Sequence, residues 1–413
     1  MKILVISNLY PPHYVGGYEL RCAVVVDALR ARGHEVRVLT SNHTVAGVPA
    51  GTPEAGVART LRVHGFFGHP WLGISPLREL ELHNNRELRA AVADFQPELI
   101  HVWNLGGISK SLGFTLQDLG RPVVYDVSDH WIARSLAADV WLAWWNRREM
   151  SPPARLLRAF WTVIGARARW SRIAPTRPVR ELLFPRIYFC SRALRELTVA
   201  AGYPVGHGEC IYCPVDTARF FGEPAPPARP LRKLLYVGRL SEDKGVMTAL
   251  RAMAAVRGEF AGELRVYGKG EAAYTAGLHA FVAEHRLPVT FHAAGAAEMP
   301  AVYRAHDGLL FTSEWEEPFA LTPLEAMASG LPVIGTLRGG SKELLRHGEN
   351  ALTYEAGDAE QLARRILELD QDPVHRAALA ARGRTEVRER FAEPVIIDQI
   401  ERYLRESLPA KTK

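Results

Sequence analysis

Two carboxylates with seven residues between them, in Glu317-Pro-Phe-Ala-Leu-Thr-Pro-Leu-Glu325, are the strongest chemical signal in the chain. A carboxylate accepts hydrogen bonds from a pair of vicinal hydroxyls, and a ribose or a hexose offers such pairs. The residues between them read as a helix start, with Thr322 a good N-cap and Pro323 a good first helical residue. The backbone N–H groups of Ala320 and Leu321 then lie near a helix N-terminus, where the dipole favours phosphate. Glu325 falls at the third helical position and Glu317 in the preceding loop. Singly, each acid has a plainer reading. Thr322-Pro-Leu-Glu325 is also a capping box, in which Glu325 reaches back to the N-cap amide. Glu317 alone is a solvated loop acid.

A second signal is Tyr236-Val-Gly238-Arg239-Leu followed by Lys244-Gly245. A strand ends at Gly238 and two cations follow, Arg239 offering a planar fork to phosphate and Lys244 a point charge. The plainer alternative is two exposed cations on a loop. A third is the loop after the first strand, where Gly16-Gly17 precedes a helix and permits close backbone approach to a ligand, or simply forms a turn. The GxGxxG dinucleotide pattern is absent, which counts against a nicotinamide enzyme. Cys210-Ile-Tyr-Cys213 has no second pair beside it, so its cysteines are expected to pack rather than bind metal.

These groups need a scaffold, and the chain alternates strand-like and helix-like segments. Strands are expected at Lys2–Ser7, Glu35–Thr40, Glu98–Trp103, Pro122–Val127 and Arg186–Cys190. Helices are expected at Tyr18–Arg32, Leu77–Asp94, Gly107–Leu119 and Arg192–Ala201. After the proline-rich stretch Gly222–Pro230 the alternation restarts at Lys233 and ends in a helical run, Glu386–Ser407, broken near Ala392–Pro394. Alternation of this kind means βαβ units and parallel sheets. The expected class is α/β: two doubly wound Rossmann-like domains facing across a cleft, with ligands at the carboxyl ends of the strands. The expected boundaries are residues 1–222, with a Trp/Arg-rich helical insertion at about 131–180; residues 231–390, carrying the phosphate-binding groups; and a final helix, 391–413, that crosses back to the first domain.

Length and composition agree. The 413 residues exceed one ordinary core, and 47% hydrophobic with 23% charged residues excludes a disordered or coiled-coil chain. No apolar run reaches the length of a membrane span. Four cysteines give no disulfide framework, and a reducing cytoplasm is the expected location. The charge of +6 suits a phosphorylated small molecule, an anionic membrane surface or a nucleic acid.

Taken together and in order, Gly16-Gly17, Gly238-Arg239…Lys244-Gly245, Glu317-x7-Glu325, Ser329-Gly-Leu-Pro-Val333, Gly339-Gly340-x-x-Glu343 and His347-Gly-Glu-Asn350 resemble a retaining glycosyltransferase of family 4, with the GT-B fold. The likeness is dense from about Lys233 to Tyr354 and looser over the N-terminal half. It implies transfer of a sugar from a nucleotide-diphosphate donor to an acceptor hydroxyl, with retention at the anomeric carbon, and with neither metal nor other cofactor. Arg239 and Lys244 would neutralise the diphosphate. The amides near Ala320 and Leu321 would bind the distal phosphate, Glu325 the ribose, Glu317 the donor hexose, and Gly16-Gly17 would close over the phosphates. Cations and helix-end amides placed ahead of the reaction favour charge building on a leaving diphosphate.

The sequence departs from the family pattern in three places. Relatives carry His-Asp after the fourth strand of the first domain, with the His meeting the donor sugar. Here Ser128-Asp129-His130 puts serine at the His position. Either His130 serves after a register shift or Asp129 takes the polar role, and His130 can equally be a satisfied loop residue. Ala320 replaces the usual glycine. Cys213-Pro214 stands where Asn-Gly is common, with Val215-Asp216 kept.

Between Asp139 and Arg180 lie Trp141, Trp144, Trp145, Trp161 and Trp170, and from Arg147 to Arg180 there are nine arginines and one acid, Glu149. Interleaved Trp and Arg suit peripheral contact with an anionic membrane at its inner face, or a lipid-diphosphate acceptor. They also suit stacking on sugars or nucleic acid, and a solvated basic face over a tryptophan core. The segment is expected to shape acceptor choice. Two other functions compete: a nucleotide-sugar epimerase on the same fold, which needs no acceptor, and a nucleic-acid-binding protein, for which the two carboxylates have no use.

Overall fold

The computed structural model describes residues 1–49, 54–221 and 230–409. Residues 222–229 of the proline-rich stretch lie outside the described residues. The chain forms two compact units. The first comprises Met1–Cys190, Leu194–Ile211 and Ile397–Lys413, and the second Ser191–Ala193 and Tyr212–Ile396.

The first unit is built on seven strands, β1 (Lys2–Ile6), β2 (Glu35–Ser41), β3 (Val57–Leu61), β4 (Leu99–Val102), β5 (Val123–Val127), β6 (Ile187–Phe189) and β7 (Glu209–Cys210). All pair in parallel in the order β3-β2-β1-β4-β5-β6-β7. Strands β4 and β5 are buried along their whole length, as expected of parallel strands covered on both faces. The helix Gly17–Ala31 buries Cys22, Val25, Val26 and Leu29, one stripe at helical spacing. It stops at Gly33, whose φ of +82° is the left-handed turn glycine takes without strain.

The second unit repeats the plan with six strands, β8 (Lys233–Val237), β9 (Glu263–Tyr267), β10 (Val289–His292), β11 (Gly308–Phe311), β12 (Val333–Thr336) and β13 (Leu352–Tyr354). Their order is β10-β9-β8-β11-β12-β13, again all parallel. In each sheet the order reverses between two strands, β1/β4 and β8/β11. Loops leave in opposite directions there and open a crevice at the carboxyl ends.

The structure differs from the sequence expectation in several elements. Strands β3, β7 and β13 are edge strands of two to five residues, too short for a period-2 pattern to show. The expected helix Gly107–Leu119 begins only at Leu112. Gly107 turns at φ +77°, and the hydroxyls of Ser109 and Ser111 accept from Asn84 and Asn85 of the neighbouring helix Ile74–Phe95. The motif Gly339-Gly340-x-x-Glu343 folds as a 3-10 turn, Gly339–Glu343. The terminal helical run breaks where expected, at Phe391–Ala392, into two helices, Pro373–Arg390 and Glu393–Glu406, but the first begins at Pro373 rather than Glu386. From Ile397 the last helix belongs to the first unit, where Tyr403 Oη hydrogen-bonds both the N–H and the C=O of Ile187 at 3.0 Å. Arg32 in particular, with Arg405 and His34, holds the Glu401 carboxyl down to about 2.

Candidate active site

The second unit carries a crevice of about 180 Å³ at its β8/β11 switch point, lined among others by Gly238, Lys244, Ser313, Glu317, Ala320 and Leu321. Local geometry explains how two distant loops meet there. After β8, Tyr236 Oη donates to the carbonyl of Arg239 at 3.0 Å and fixes the strand exit. The turn Glu242–Lys244 ends at Gly245, whose φ is +63°; a Cβ there would stand 2.0 Å from the Thr312 carbonyl oxygen, so only glycine lets the turn close on β11. Thr312 Oγ1 donates to the Lys244 carbonyl at 2.8 Å, and the Glu314 and Trp315 N–H groups donate to the Asp243 carbonyl at 2.9 and 3.0 Å. Lys244 Nζ then reaches Glu317 Oε1 at 2.5 Å, with Ser313 Oγ donating to the same oxygen at 2.6 Å.

The loop bearing Glu317 is clamped from its other side. Gly340 N–H donates to the Glu317 carbonyl at 2.7 Å, and a Cβ on Gly339 would fall 2.2 Å from that oxygen. This is the physical use of the paired glycines at 339–340. Glu343 of the same motif accepts from Ala193 N–H at 3.0 Å and Tyr212 Oη at 3.1 Å, a structural role.

The helix Leu321–Ala328 opens with Ala320 as its N-cap, not Thr322, and has no side-chain cap bond. Glu325 is therefore the fifth helical residue rather than the third, and the capping-box reading fails. Its Oε2 accepts instead from Tyr303 Oη at 2.8 Å. Burial pushes its carboxyl up to about 7, against the lowering effects of that hydrogen bond and of Arg219. The N–H groups of the first turn have no intrahelical acceptor and sit at the positive end of the dipole. Arg239 is exposed and tied to Asp243 at 3.1 Å and Ser241 at 3.2 Å. Thus Lys244, Glu317, Ala320 and Leu321 come together in the crevice, while Arg239 and Glu325 are not among its lining residues.

The first unit gathers its own polar cluster at the ends of β1, β4 and β5. Gly16 caps the helix Gly17–Ala31, and its N–H donates to Glu19 Oε2 at 2.9 Å. Asp129 accepts from Asn104 Nδ2 at 2.7 Å and from Trp131 N–H at 2.8 Å. Burial, with a contribution from Glu19, pushes its carboxyl up to about 6; the two hydrogen bonds and Lys110 oppose the rise. Asn104 also accepts from Gly106 N–H at 2.7 Å, and Asn8 Nδ2 donates to the Gly106 carbonyl at 2.8 Å, joining the β1 and β4 exits. His130 is half-buried and precedes a π-helical turn, Trp131–Ser135. Below them Arg21 and Asp126 form a buried pair at 2.9 Å. Sequence reasoning missed Asn8, Asn104, Ser313 and Tyr303. A strand-end asparagine followed by Gly-Gly, as in Asn104-Leu-Gly-Gly107, was the one available signal; the other three depend on long-range neighbours.

In the insertion the tryptophans turn inward. Trp141, Trp145 and Trp170 are buried, and Trp144 packs on Trp145 and Trp161 at ring separations of 4.6 and 5.2 Å. They form a core rather than stacking platforms for bases or sugars, which removes the main support for a nucleic-acid reading. Cys213 is likewise buried, and Cys210 half-buried.

Comparison with known proteins places this architecture. Residues 16–184 match a family model described as "Glycosyl transferase 4-like domain", and residues 232–372 one described as "Glycosyl transferases group 1". Spore coat protein SA of Bacillus subtilis is 32% identical over 38% of this chain and 44% of its own length. Glycogen synthase of Mycobacterium tuberculosis is 28% identical over 93% of this chain and 90% of its own. The structure of HepE from Anabaena in complex with UDP-glucose superposes with a TM-score of 0.68 at 20% identity, covering 98% of this chain and 100% of that one. Two parallel-sheet α/β units with these neighbours are the GT-B fold. With both family models matched, the chain is a GT-B glycosyltransferase.

Proposed function

We propose that the protein is a retaining, metal-independent glycosyltransferase that moves a hexose from a nucleotide-diphosphate-sugar to an acceptor hydroxyl. The bond between the anomeric carbon and the diphosphate oxygen breaks, with the electron pair staying on the phosphate. The acceptor oxygen bonds to that carbon and passes its proton to the departing diphosphate oxygen. The observation that carries this reading is the crevice at the β8/β11 switch point, where the Lys244 ammonium and the first-turn amides of Leu321–Ala328 converge beside Glu317. That set favours charge arriving on a phosphate without a metal's help. Exposed Arg239 is the second cation, free to swing from Asp243 to a phosphate. Glu325 holds the ribose hydroxyls and Glu317 the hexose. Gly16-Gly17 meet the phosphates, and Asp129, half-buried and already hydrogen-bonded to Asn104 and the Trp131 N–H, takes the polar role at the sugar in preference to His130. HepE was solved with UDP-glucose, so a uridine nucleotide is the first donor to test here. We place the protein in the cytoplasm, with the insertion at about 131–180 meeting an anionic membrane surface.

A thermal-shift screen with UDP, GDP, ADP and dTDP tests the donor assignment, because a nucleotide that binds the native state raises its melting point. One nucleotide should raise it in chelator, and Glu325→Ala should remove the shift while leaving a cooperative transition. No shift with any of the four, or a shift that survives Glu325→Ala, would overturn the assignment. Conversion of the matching nucleotide-sugar with no acceptor, followed over time, would favour an epimerase.

A further inference from the structure

The helix Pro152–Val163 in the first unit has its polarity turned inside out. None of its residues is buried. Its inner side is carried by Arg158, which donates to the carbonyls of Trp144 at 3.1 Å and Arg147 at 2.8 Å, and by Trp161, whose ring lies edge-on to Trp170 at 5.0 Å. Its outer side holds Leu156, Phe160, Val163 and the following Ile164, exposed by 73%, 57%, 85% and 57%. Positions i, i+4, i+7 and i+8 make one stripe on a helix. Scattered apolar side chains on a surface need no explanation, but a contiguous stripe does. Arg147, Arg148, Arg155, Arg169 and Arg172 around it are all exposed.

We propose that this helix docks the enzyme onto an anionic lipid bilayer, lying in the plane of the interface with Leu156, Phe160, Val163 and Ile164 among the acyl chains and the arginines at the headgroups. The proposal rests on the partner reading above and supplies the element that performs it. Charge selects the occupant. Nine arginines against one acid between Arg147 and Arg180 match anionic headgroups, and long Arg side chains reach them while the apolar stripe stays immersed. A second copy of the chain would bring the same arginines to the same face and repel. A nucleic acid would accept the arginines but leave Leu156, Val163 and Ile164 in water. Among the described residues no helix is long and apolar enough to cross a membrane, so the contact is lateral.

The test is co-sedimentation of the full chain with vesicles of phosphatidylcholine alone and of phosphatidylcholine with phosphatidylglycerol, at low and high salt. The protein should bind the anionic vesicles, release in high salt, and bind about tenfold more weakly as Phe160→Asp/Val163→Asp. Both side chains point outward, so the melting point and the nucleotide-induced shift should be unchanged. The milder Leu156→Ser/Phe160→Ser pair gives the same readout should the charged pair fold poorly. Three results would overturn the proposal: no binding to anionic vesicles, binding that both variants leave intact, or a dimer of the native chain that the variants dissolve. Loss of the nucleotide shift in the native chain would instead remove the donor assignment and leave vesicle binding as an independent result.

Discussion

Lys244 Nζ and Glu317 Oε1 lie 2.5 Å apart, although 73 residues separate them in the chain. The pair joins the loop after β8 to the loop after β11, so one contact both shapes the crevice and sets how much positive charge it offers a diphosphate. Each partner is largely shielded from water, and removing one exposes the other's unmatched charge.

Lys244→Ala should therefore cost about 1–3 kcal/mol of stability, because it strands the Glu317 carboxylate. It should also weaken nucleotide-diphosphate binding by about 10–100-fold, through loss of a charge-assisted contact. Glu317→Gln keeps the shape and the Ser313 bond and frees the ammonium, so nucleotide affinity should hold or rise while transfer falls by about 100-fold. Calorimetric titration beside a transfer assay separates the two, and unchanged transfer in Glu317→Gln would place that carboxylate outside the site.

Glu325 gives a pH signature. Burial raises its carboxyl to about 7, so the native state binds a proton that the unfolded chain, near 4.5, has released. Stability from this group is complete below about pH 4.5 and lost as pH rises through 7. The ionised form is the one that accepts from two ribose hydroxyls, so nucleotide affinity should climb across the same window. Glu325→Gln should flatten that climb and raise stability near pH 8 by about 1–2 kcal/mol. An affinity step near pH 7 that persists in Glu325→Gln would assign the titration to another group.

Two glycines make opposite predictions. Gly245→Ala forces a left-handed residue against the Thr312 carbonyl and should cost about 2–3 kcal/mol and displace Lys244. Gly277 lies within the helix Ala272–Glu284 with open space around its missing Cβ, so Gly277→Ala should add about 0.5–1 kcal/mol. Denaturant melts of the two variants read both signs.

Asp129, raised to about 6 by burial, should impose a limb near pH 6 on kcat/KM. Asp129→Asn should abolish that limb, reduce transfer by about 100–1,000-fold and leave nucleotide binding unchanged. A limb that survives Asp129→Asn and disappears in His130→Ala would hand the role to His130.

Much of the scaffold is legible in the chain because its cause is local. The stripe Cys22, Val25, Val26, Leu29 declares a helix, the apolar runs of β4 and β5 declare buried parallel strands, and Gly33 declares a stop. The edge strands escape notice because two to five residues cannot display a period. In the site, the charge of Lys244 and of Glu317 and their places in loops at strand ends are legible in the sequence, but their pairing with each other, across 73 residues, is not. Glu325 is different: Thr322-Pro-Leu-Glu325 satisfies the capping-box rule locally, and only Tyr303 Oη, brought in from the helix Met299–Arg304, supplies the competing hydrogen bond that wins.

The amphipathic helix at Pro152–Val163 shows the same division. Spacing alone sorts Leu156, Phe160 and Val163 onto one side and Arg158 onto the other, since helical geometry is set by the backbone. Which side meets the protein depends on the Trp144, Trp145 and Trp170 cluster and the carbonyls that Arg158 satisfies, groups contributed by other segments. The sequence by itself determined the alternating elements, the reversal-prone parallel sheets and the chemical types at their ends. The tertiary structure decided which N–H caps which helix, which carboxylate is buried and which face stays in water, because burial and hydrogen-bond partnership belong to neighbours that no local window contains.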